Sequence, residues 1–234
     1  AFDILMPALL KAFDDTPAAD PLMAQLGEPI AGLRAWDHGW AVDSVPTALA
    51  IFWAQDLQAH VSEAAKAKGI PAGDQLAMFD YMANQTTAPQ RLEALARAME
   101  KLQKDFGTWK TPWGAINRFQ RLSGEVDAGF DDAKPSLPVG FTASSWGSLA
   151  AFSAAGPQKT KKIYGGVGNS FVAVVEFGPR VKAKSILAGG ESGDPASPHF
   201  NDQAERYTKG QFKDVWFYRE DVEQHVERRY HPGG

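Results

Sequence analysis

Serine, aspartate and histidine side chains occur together in one short stretch of the sequence, the Gly189–Gln203 loop. These are the residue types of a hydrolase triad, in which a histidine takes the proton of an attacking serine and a carboxylate orients the histidine. A nucleophile elbow needs a glycine two residues after the serine, but Asp194 holds that place after Ser192 and a proline follows it. The sequence therefore does not favour a self-contained triad. It predicts a rigid loop in which short polar side chains bond to the backbone and the histidine packs and bonds internally: Ser192, Asp194, Ser197 and His199.

Glu176 is a second candidate, because it is a carboxylate inside the strand-like run Phe171–Phe177, whose neighbours are apolar on both faces. Burying a carboxylate is costly unless it is ionised against a partner or hydrogen-bonded. No cation lies beside it in the sequence, so we expect a partner from elsewhere, such as a histidine or an α-amine. Two interpretations stay open. Glu176 either supports a catalytic base, or it is a strand-end carboxylate that reaches solvent or a structural arginine.

Three of the seven tryptophans lie in or beside a stretch rich in glycine and proline, where helical periodicity fades. Trp109, Trp113 and Trp146 are therefore candidates for lining a pocket that holds an apolar group. The alternative is that they only pack, as we expect for Trp36 and Trp53, which lie in periodic segments.

Composition excludes several classes of function. The net charge of −4 and the pI of about 5.7 give no basic footprint for nucleic acid. No apolar run is long enough for a membrane span. The chain has no cysteine and its histidines are scattered, which excludes disulfides and predicts no metal site. The glycines of residues 165–168 precede a strand rather than follow one, so they do not form a phosphate-binding loop.

The sequence pattern predicts helices and strands that position these residues, in an α+β chain of three segments. Residues 1–106 read as helices, with helix starts at Asp20, Ser44, Asp74 and Thr86 or Thr87. Residues 107–145 are irregular. Residues 146–234 contain two strands, the polar loop, a short helix and a C-terminal helix from Glu220 to Tyr230 with Val222, Val226 and Tyr230 on one stripe.

Three segments carry a resemblance to a known family. They are the Gly189–Gln203 loop with its flanking strands, the Thr111–Phe119 segment (Pro-Trp-Gly-x-Ile-Asn-Arg) and the Leu33–Asp37 segment (Leu-x-x-Trp-Asp). In this order they resemble the C-terminal part of the large (beta) subunit of penicillin acylases (penicillin amidases), which are N-terminal-nucleophile hydrolases. The Thr111–Phe119 segment is closest to the aculeacin and acyl-homoserine-lactone acylase branch.

The resemblance implies a four-layer αββα fold to which this chain contributes strands and helices. It implies that the family's nucleophile, an N-terminal Ser whose α-amine is the base, lies outside the chain, since position 1 is Ala1. In that family a strand glutamate such as Glu176 orients an active-site histidine in some members. The Gly189–Gln203 loop is then a structural signature rather than a catalytic one, through Gly190, Ser192, Gly193, Asp194, Ser197, His199, Asp202 and Gln203.

The resemblance further implies an amidase that cleaves N-acyl compounds of beta-lactam, lipopeptide or acyl-homoserine-lactone type, in antibiotic metabolism or quorum quenching. Its partners would be the other parts of one autocatalytically processed precursor, the small subunit and the N-terminal part of the large subunit. No cofactor is expected in this chain, while calcium in the full enzyme would have its ligands elsewhere. A periplasmic or secreted location is expected. The alternative is a non-catalytic ligand- or partner-binding domain derived from the same fold.

Overall fold

A computed structural model describes residues 1–125, 129–231 and 233 of the chain. It divides into two compact units, Ala1–Leu122 with Val126–Gly168, and Ser123–Glu125 with Asn169–Gly234. We call them unit 1 and unit 2. The division at Gly168 differs from the three predicted segments, because strands formed after residue 106 pair with one another inside unit 1. The parts of those segments at 126–128, 232 and 234 lie outside the described residues.

Unit 1 begins with five helices that form its core. Their bounds are α1 Phe2–Asp14, α2 Pro21–Arg34, α3 Val45–Ala67, α4 Gln75–Asn84 and α5 Ala88–Phe106. The longest two, α3 and α5, pack along each other, and Trp53 is fully buried where its indole N–H donates to the carbonyl of Arg91, 3.0 Å away. Helix α1, which includes Pro7, was not predicted, since it has no capping side chain at its start.

The predicted starts of the other four helices are confirmed. Asp20, Ser44 and Asp74 each accept a hydrogen bond from a backbone N–H in the first turn, and Thr87 forms a capping box with Gln90. Helix α5 stops at Gly107, whose φ of 84° lies in the left-handed region that favours glycine. These local bonds explain why the helix boundaries could be predicted from sequence.

Arg91 joins three of these helices through its partly buried guanidinium. It donates to the carbonyls of Ala8, Ala83 and Thr86 at 3.4, 2.5 and 2.7 Å, and to the Thr86 hydroxyl at 2.9 Å. Burial lowers the pKa of the Arg91 guanidinium from its ordinary value. The carbonyls of Ala83 and Thr86 lie in the last turn of α4 and just after it, where no helical N–H follows, so Arg91 satisfies them. Its longer bond to Ala8 reaches the interior of α1.

The rest of unit 1 is less irregular than predicted for residues 107–145. It contains a short helix and small strands: α6 Trp113–Ile116, β1 Asn117–Phe119, β2 Leu137–Pro138, β3 Phe152–Ser153, β4 Ile163–Tyr164 and β5 Val167–Gly168. Strand β1 pairs antiparallel with β2 and parallel with β4, and β3 pairs antiparallel with β5. A 3₁₀ turn, Ser144–Trp146, places Trp146 in the core.

Unit 2 is a three-stranded antiparallel sheet with two short helices. Its elements are β6 Phe171–Glu176, β7 Lys182–Leu187, α7 Ala204–Thr208, β8 Lys213–Asp214 and α8 Arg219–Gln224, and the strand order is β6-β7-β8. The predicted C-terminal helix to Tyr230 is wrong, since α8 ends at Gln224. The predicted apolar stripe is exposed at Val222, Val226 and Tyr230, so it gives no packing energy that would extend the helix beyond Gln224.

The mixture of helices and strands confirms the α+β fold class. None of the helices in the described part of the chain is long and apolar enough to cross a membrane.

Candidate functional site

The Gly189–Gln203 loop of unit 2 is held by bonds among its own residues. The Ser192 hydroxyl accepts from the N–H of Asp194 at 3.1 Å, and the Asp194 carboxylate accepts from the N–H of Ala196 at 2.9 Å. The Ser197 hydroxyl accepts from the N–H of His199 at 3.1 Å. Ser192, Asp194 and Ser197 thus each accept a hydrogen bond from a backbone N–H two residues further along the loop, which is typical of side chains with a structural role.

Within the loop His199 and Asp202 form a histidine–carboxylate pair, with His199 Nδ1 2.9 Å from an Asp202 oxygen. The expectation that His199 packs is wrong, because its side chain is 69% exposed. Gln203, by contrast, is buried and ties both ends of the loop, since its N–H donates to Gly189 O and its amide to Glu191. The backbone carbonyl and not the imidazole of His199 is the inward group, accepting from Ser192 N–H at 3.1 Å.

Gly190 lies where the two sides of the loop approach most closely. A Cβ at this position would stand 2.1 Å from the carbonyl oxygen of His199 and 2.5 Å from an Asp202 oxygen. Gly193, three residues on, has no neighbour within 4 Å of its own Cβ position. Gly190 and Gly193 therefore differ, because a side chain has no room at Gly190 and open space at Gly193.

Glu176 ends strand β6 and its side chain is 72% exposed in this chain. Lys182, its cross-strand partner, places its ammonium 4.0 Å from the carboxylate, so a cation is close in space although none is close in sequence. Such an exposed pair contributes little to stability. Glu176 lies on a groove of about 390 Å³ whose other wall carries Trp216, Phe217 and Tyr218.

Arg180, Tyr218 and Asp221 also line this groove and form an aromatic and charged cluster. The Arg180 guanidinium lies 3.9 Å from the centre of the Tyr218 ring and donates to Glu220 and Asp221 at 2.7 and 2.6 Å. These two bonds raise the pKa of Arg180, and the bond from Arg180 lowers the pKa of Glu220. Because these side chains are exposed, their ion pairs contribute little to the stability of the fold. Their contacts hold Arg180 and Tyr218 in place beside the groove.

The apolar strand around Glu176 is open in this chain. Phe171, Val174, Val175 and Phe177 are 59, 62, 44 and 84% exposed. Exposed contiguous apolar surface of this kind marks an interaction site in a soluble protein.

Two of the three candidate tryptophans line a cleft in unit 1, which we call the unit 1 cleft. Its volume is about 550 Å³. Trp113 and Trp146 contribute to its floor, together with Phe52 and Phe152, whereas Trp109 is not among its lining residues. Sequence reasoning missed the polar residues of the cleft, such as Gln55 and Gln58. The available signal was two glutamines three residues apart, and hence on the same side of helix α3, next to its apolar run of residues 48–54.

The Thr111–Phe119 segment positions Trp113 through a structural bracket. The Asn117 amide donates to the carbonyls of Val139 and Phe141 at 2.9 and 2.7 Å. Arg118 donates to Gly114 O at 2.7 Å and to both the hydroxyl and the carbonyl of Ser136. Burial lowers the pKa of the Arg118 guanidinium. The Asn-Arg pair therefore holds chain segments together and does not project into the cleft as a free polar pair.

Among the described residues, no group of three or more histidine, cysteine or acidic side chains comes together in a way that could hold a metal ion.

Known proteins match most of the chain. Residues 2–224 match a family model described as penicillin amidase. Among solved structures, the chain is similar to a thermostable penicillin G acylase from Alcaligenes faecalis in its orthorhombic form, with 15% sequence identity and a TM-score of 0.46. That similarity covers 98% of this chain and 46% of the solved chain, so this chain spans about half the length of that protein.

Proposed function

The chain belongs to the penicillin amidase family, and from this premise we propose that it is the C-terminal part of the large subunit of an amidohydrolase. The observation that carries the proposal is the family match over residues 2–224. The reaction would be hydrolysis of an N-acyl amide. A serine attacks the acyl carbonyl, the amine leaves, and water releases the carboxylic acid from the acyl-enzyme.

We place the serine and the oxyanion donors outside these 234 residues, on the N-terminal part of the large subunit. The loop serines are poor candidates, because the hydroxyls of Ser192 and Ser197 accept from neighbouring backbone N–H groups. What this chain supplies is scaffold: the sheet of unit 2, its rigid loop and the helical core of unit 1.

The partners of this chain are the small subunit and the remaining part of the large subunit, released from one precursor by autocatalytic processing. The open apolar surface of β6 supports this proposal. Phe171, Val174 and Phe177 are more than half exposed, and burying such side chains gives roughly 25 cal/mol per Å² of apolar area. Covering layers from the partners would supply that burial and complete the αββα core.

Glu176 is proposed as a positioning residue that keeps a catalytic base of the assembled enzyme in the right protonation state and orientation. Its place at the end of a strand whose faces await covering supports this role. Glu176→Gln keeps the shape and removes the charge, so turnover should fall by ~10–1000-fold, with a changed pH profile. The matched control is Glu223→Gln, because Glu223 is an exposed partner of Arg219 on α8. Unchanged turnover and an unchanged pH profile for Glu176→Gln would exclude the role.

The substrate class within the family is proposed more narrowly from the Thr111–Phe119 segment. It favours long-chain acyl amides of the lipopeptide or acyl-homoserine-lactone type over beta-lactams, and hence quorum quenching or antibiotic metabolism. That Trp109, Trp113 and Trp146 contact the substrate stays a prediction. A periplasmic or secreted location and a calcium site formed by residues elsewhere in the enzyme belong to the same proposal.

One experiment tests the proposal as a whole. The assembled, processed protein is assayed with an N-decanoyl amide, an acyl-homoserine lactone and a beta-lactam, and this chain expressed alone is assayed beside it. We expect amide turnover from the assembly and none from the chain alone. The rival function, a non-catalytic binding domain, is favoured if the region upstream of Ala1 encodes no Gly-Ser junction and no small subunit. Enzyme-level turnover by the isolated chain would contradict our placement of the nucleophile.

A further inference from the structure

The unit 1 cleft has an aromatic floor and a polar rim. Phe52, Trp113, Trp146 and Phe152 are each less than a tenth exposed, so the floor is part of the packed core and is rigid. Ring contacts hold Trp146 from behind, since Phe2 and Phe79 stack on it at centroid distances of 5.7 and 5.6 Å. A cleft with fixed aromatic walls accepts an apolar group at small entropic cost.

Several amides on the rim are available to a ligand. Among the residues that the structure describes, the side-chain amides of Gln55, Gln58 and Gln75 have no hydrogen-bond partner, although all three line the cleft. Gln158 differs, because its amide donates to the carbonyl of Tyr164 and accepts from its N–H. The cleft therefore combines one structural glutamine with three amides that can bind a polar head group.

The charges on the rim select an anion. Three lysines and one aspartate line the cleft, and Lys101 is paired with that aspartate, Asp105, at 2.6 Å. Lys162 donates to the uncharged carbonyl of Asp132 at 3.1 Å. For the ammonium of Lys161 no partner is found within the described ranges, 1–125, 129–231 and 233. Two of the three cations on the rim thus form no salt bridge. The Asp132 carboxylate, which accepts from Lys161 N–H at 2.8 Å, is nearby but does not line the cleft, so the lining itself carries an excess of positive charge.

We propose that the unit 1 cleft binds an apolar carboxylate, with its hydrocarbon part on the aromatic floor and its carboxylate at Lys161 and the rim glutamines. The volume of about 550 Å³ suits a medium-chain acid. A carboxylate beside an ammonium makes a charge-assisted bond, while the aromatic floor removes the hydrocarbon from water. Carboxylic acids are also what amide hydrolysis releases, so the origin of the ligand rests on the proposed function, whereas its binding does not.

The test uses the assembled, processed protein labelled with 5-fluorotryptophan and titrated with decanoate, with no amide substrate present. Fluorine resonances are assigned with single Trp→Phe variants. We expect those of Trp113 and Trp146 to shift saturably. The resonance of Trp53 is the control, because this residue is buried in the same unit but does not line the cleft. Because the readout is local, binding of decanoate at a catalytic centre elsewhere does not mimic it.

Matched variants then test the charge and the space. Lys161→Glu should weaken decanoate binding at the cleft by roughly tenfold or more. Lys159→Glu makes the same charge change in the same loop, but Lys159 does not line the cleft, so it should have a much smaller effect. Ala154→Trp should block the cleft. Decyltrimethylammonium should bind at least roughly tenfold more weakly than decanoate, since its charge is reversed.

Several results would overturn the proposal. They are the absence of a saturable shift at Trp113 and Trp146, equal losses from Lys161→Glu and Lys159→Glu, or equal binding of the cationic amphiphile. Melting temperatures of the variants show whether each one is folded. If Lys161→Glu does not fold, loss of decanoate binding by Ala154→Trp still tests whether the ligand occupies the cleft. An assembly that hydrolyses amides but gives no shift refutes this site and leaves the proposed function intact. A saturable shift in an assembly without amidase activity supports this site and refutes the proposed function.

Discussion

Replacing Gly190 with alanine should destabilise unit 2, because the added methyl has no room. Its Cβ would lie 2.1 Å from the carbonyl oxygen of His199, which is backbone and cannot rotate away. The same carbonyl accepts the bond from Ser192 N–H, so moving it breaks a bond that closes the loop. Overpacking costs ~1–3 kcal/mol and the lost bond ~0.5–1.5 kcal/mol. We expect a total loss of roughly 2–4 kcal/mol in the free energy of unfolding.

Gly193→Ala is the matched control, because the same methyl is added three residues away in open space. This change should be neutral, or stabilise by a few tenths of a kcal/mol through the reduced freedom of the unfolded chain. Thermal unfolding of the assembled protein separates the two. For 150–250 residues 1 kcal/mol corresponds to roughly 2–4 °C, and for a larger assembly to less, so Gly190→Ala should lower Tm by at most roughly 16 °C and by clearly more than Gly193→Ala.

Turnover per folded active site should be unchanged in both variants, since the loop is a brace and not part of the chemistry. Two outcomes would refute the reasoning. If Gly190→Ala melts with the wild type, the close approach of the loop segments is wrong. If it is stable but inactive, the Gly189–Gln203 loop takes part in the reaction.

Three further predictions concern stability. Arg91→Met should lower the free energy of unfolding by ~2–4 kcal/mol in urea titrations, because carbonyls lose their donor. Arg97, which pairs with Asp56 at 2.8 Å and Glu93 at 3.7 Å, is partly exposed, so Arg97→Met should cost less than ~1 kcal/mol. His199→Ala, which removes an exposed pair, should shift Tm by less than Asp194→Ala, which removes a backbone acceptor; the opposite order would contradict the bonding of the loop. Burial raises the pKa of Tyr207 to about 12, so the folded state holds the phenol proton more tightly than the unfolded state. The stability this proton gives is complete below pH 10 and is lost as pH rises towards 12, and Tyr207→Phe should flatten that decline in urea midpoints measured against pH.

Much of unit 1 could be predicted from sequence because its determinants are local. Capping side chains such as Ser44 and Thr87 lie within one turn of the helix starts they define, and Gly107 marks the end of α5. Helix α1 has no such signal, and α8 is shorter than the apolar stripe predicts because none of its residues is buried. Helix boundaries that depend on nearby side chains could therefore be predicted, whereas helix lengths inferred from an apolar stripe alone could not.

The candidate sites were less predictable because their residues are distant in sequence. Gln55, Trp113, Trp146 and Lys161 belong to four separate segments, and only the fold brings them to one cleft. The tryptophans could be singled out by composition, but nothing in their spacing distinguished Trp109, which does not line the cleft. The hydrogen bonds of Asn117 were equally hidden, since its partners lie more than 20 residues away.

The role of Glu176 depends on which partner of the chain covers the strand that carries it. The sequence places it in an apolar strand, and the structure leaves that strand at the edge of its sheet with its apolar side chains in solvent. In this chain the Glu176 carboxylate is in water beside Lys182, and such an exposed ion pair contributes little to the free energy of folding. If the proposed partners cover both faces of β6, the same carboxylate loses its hydration and must be compensated by a cation or a donor. On that proposal, substitutions on the exposed apolar surface of β6 should alter docking and catalysis together.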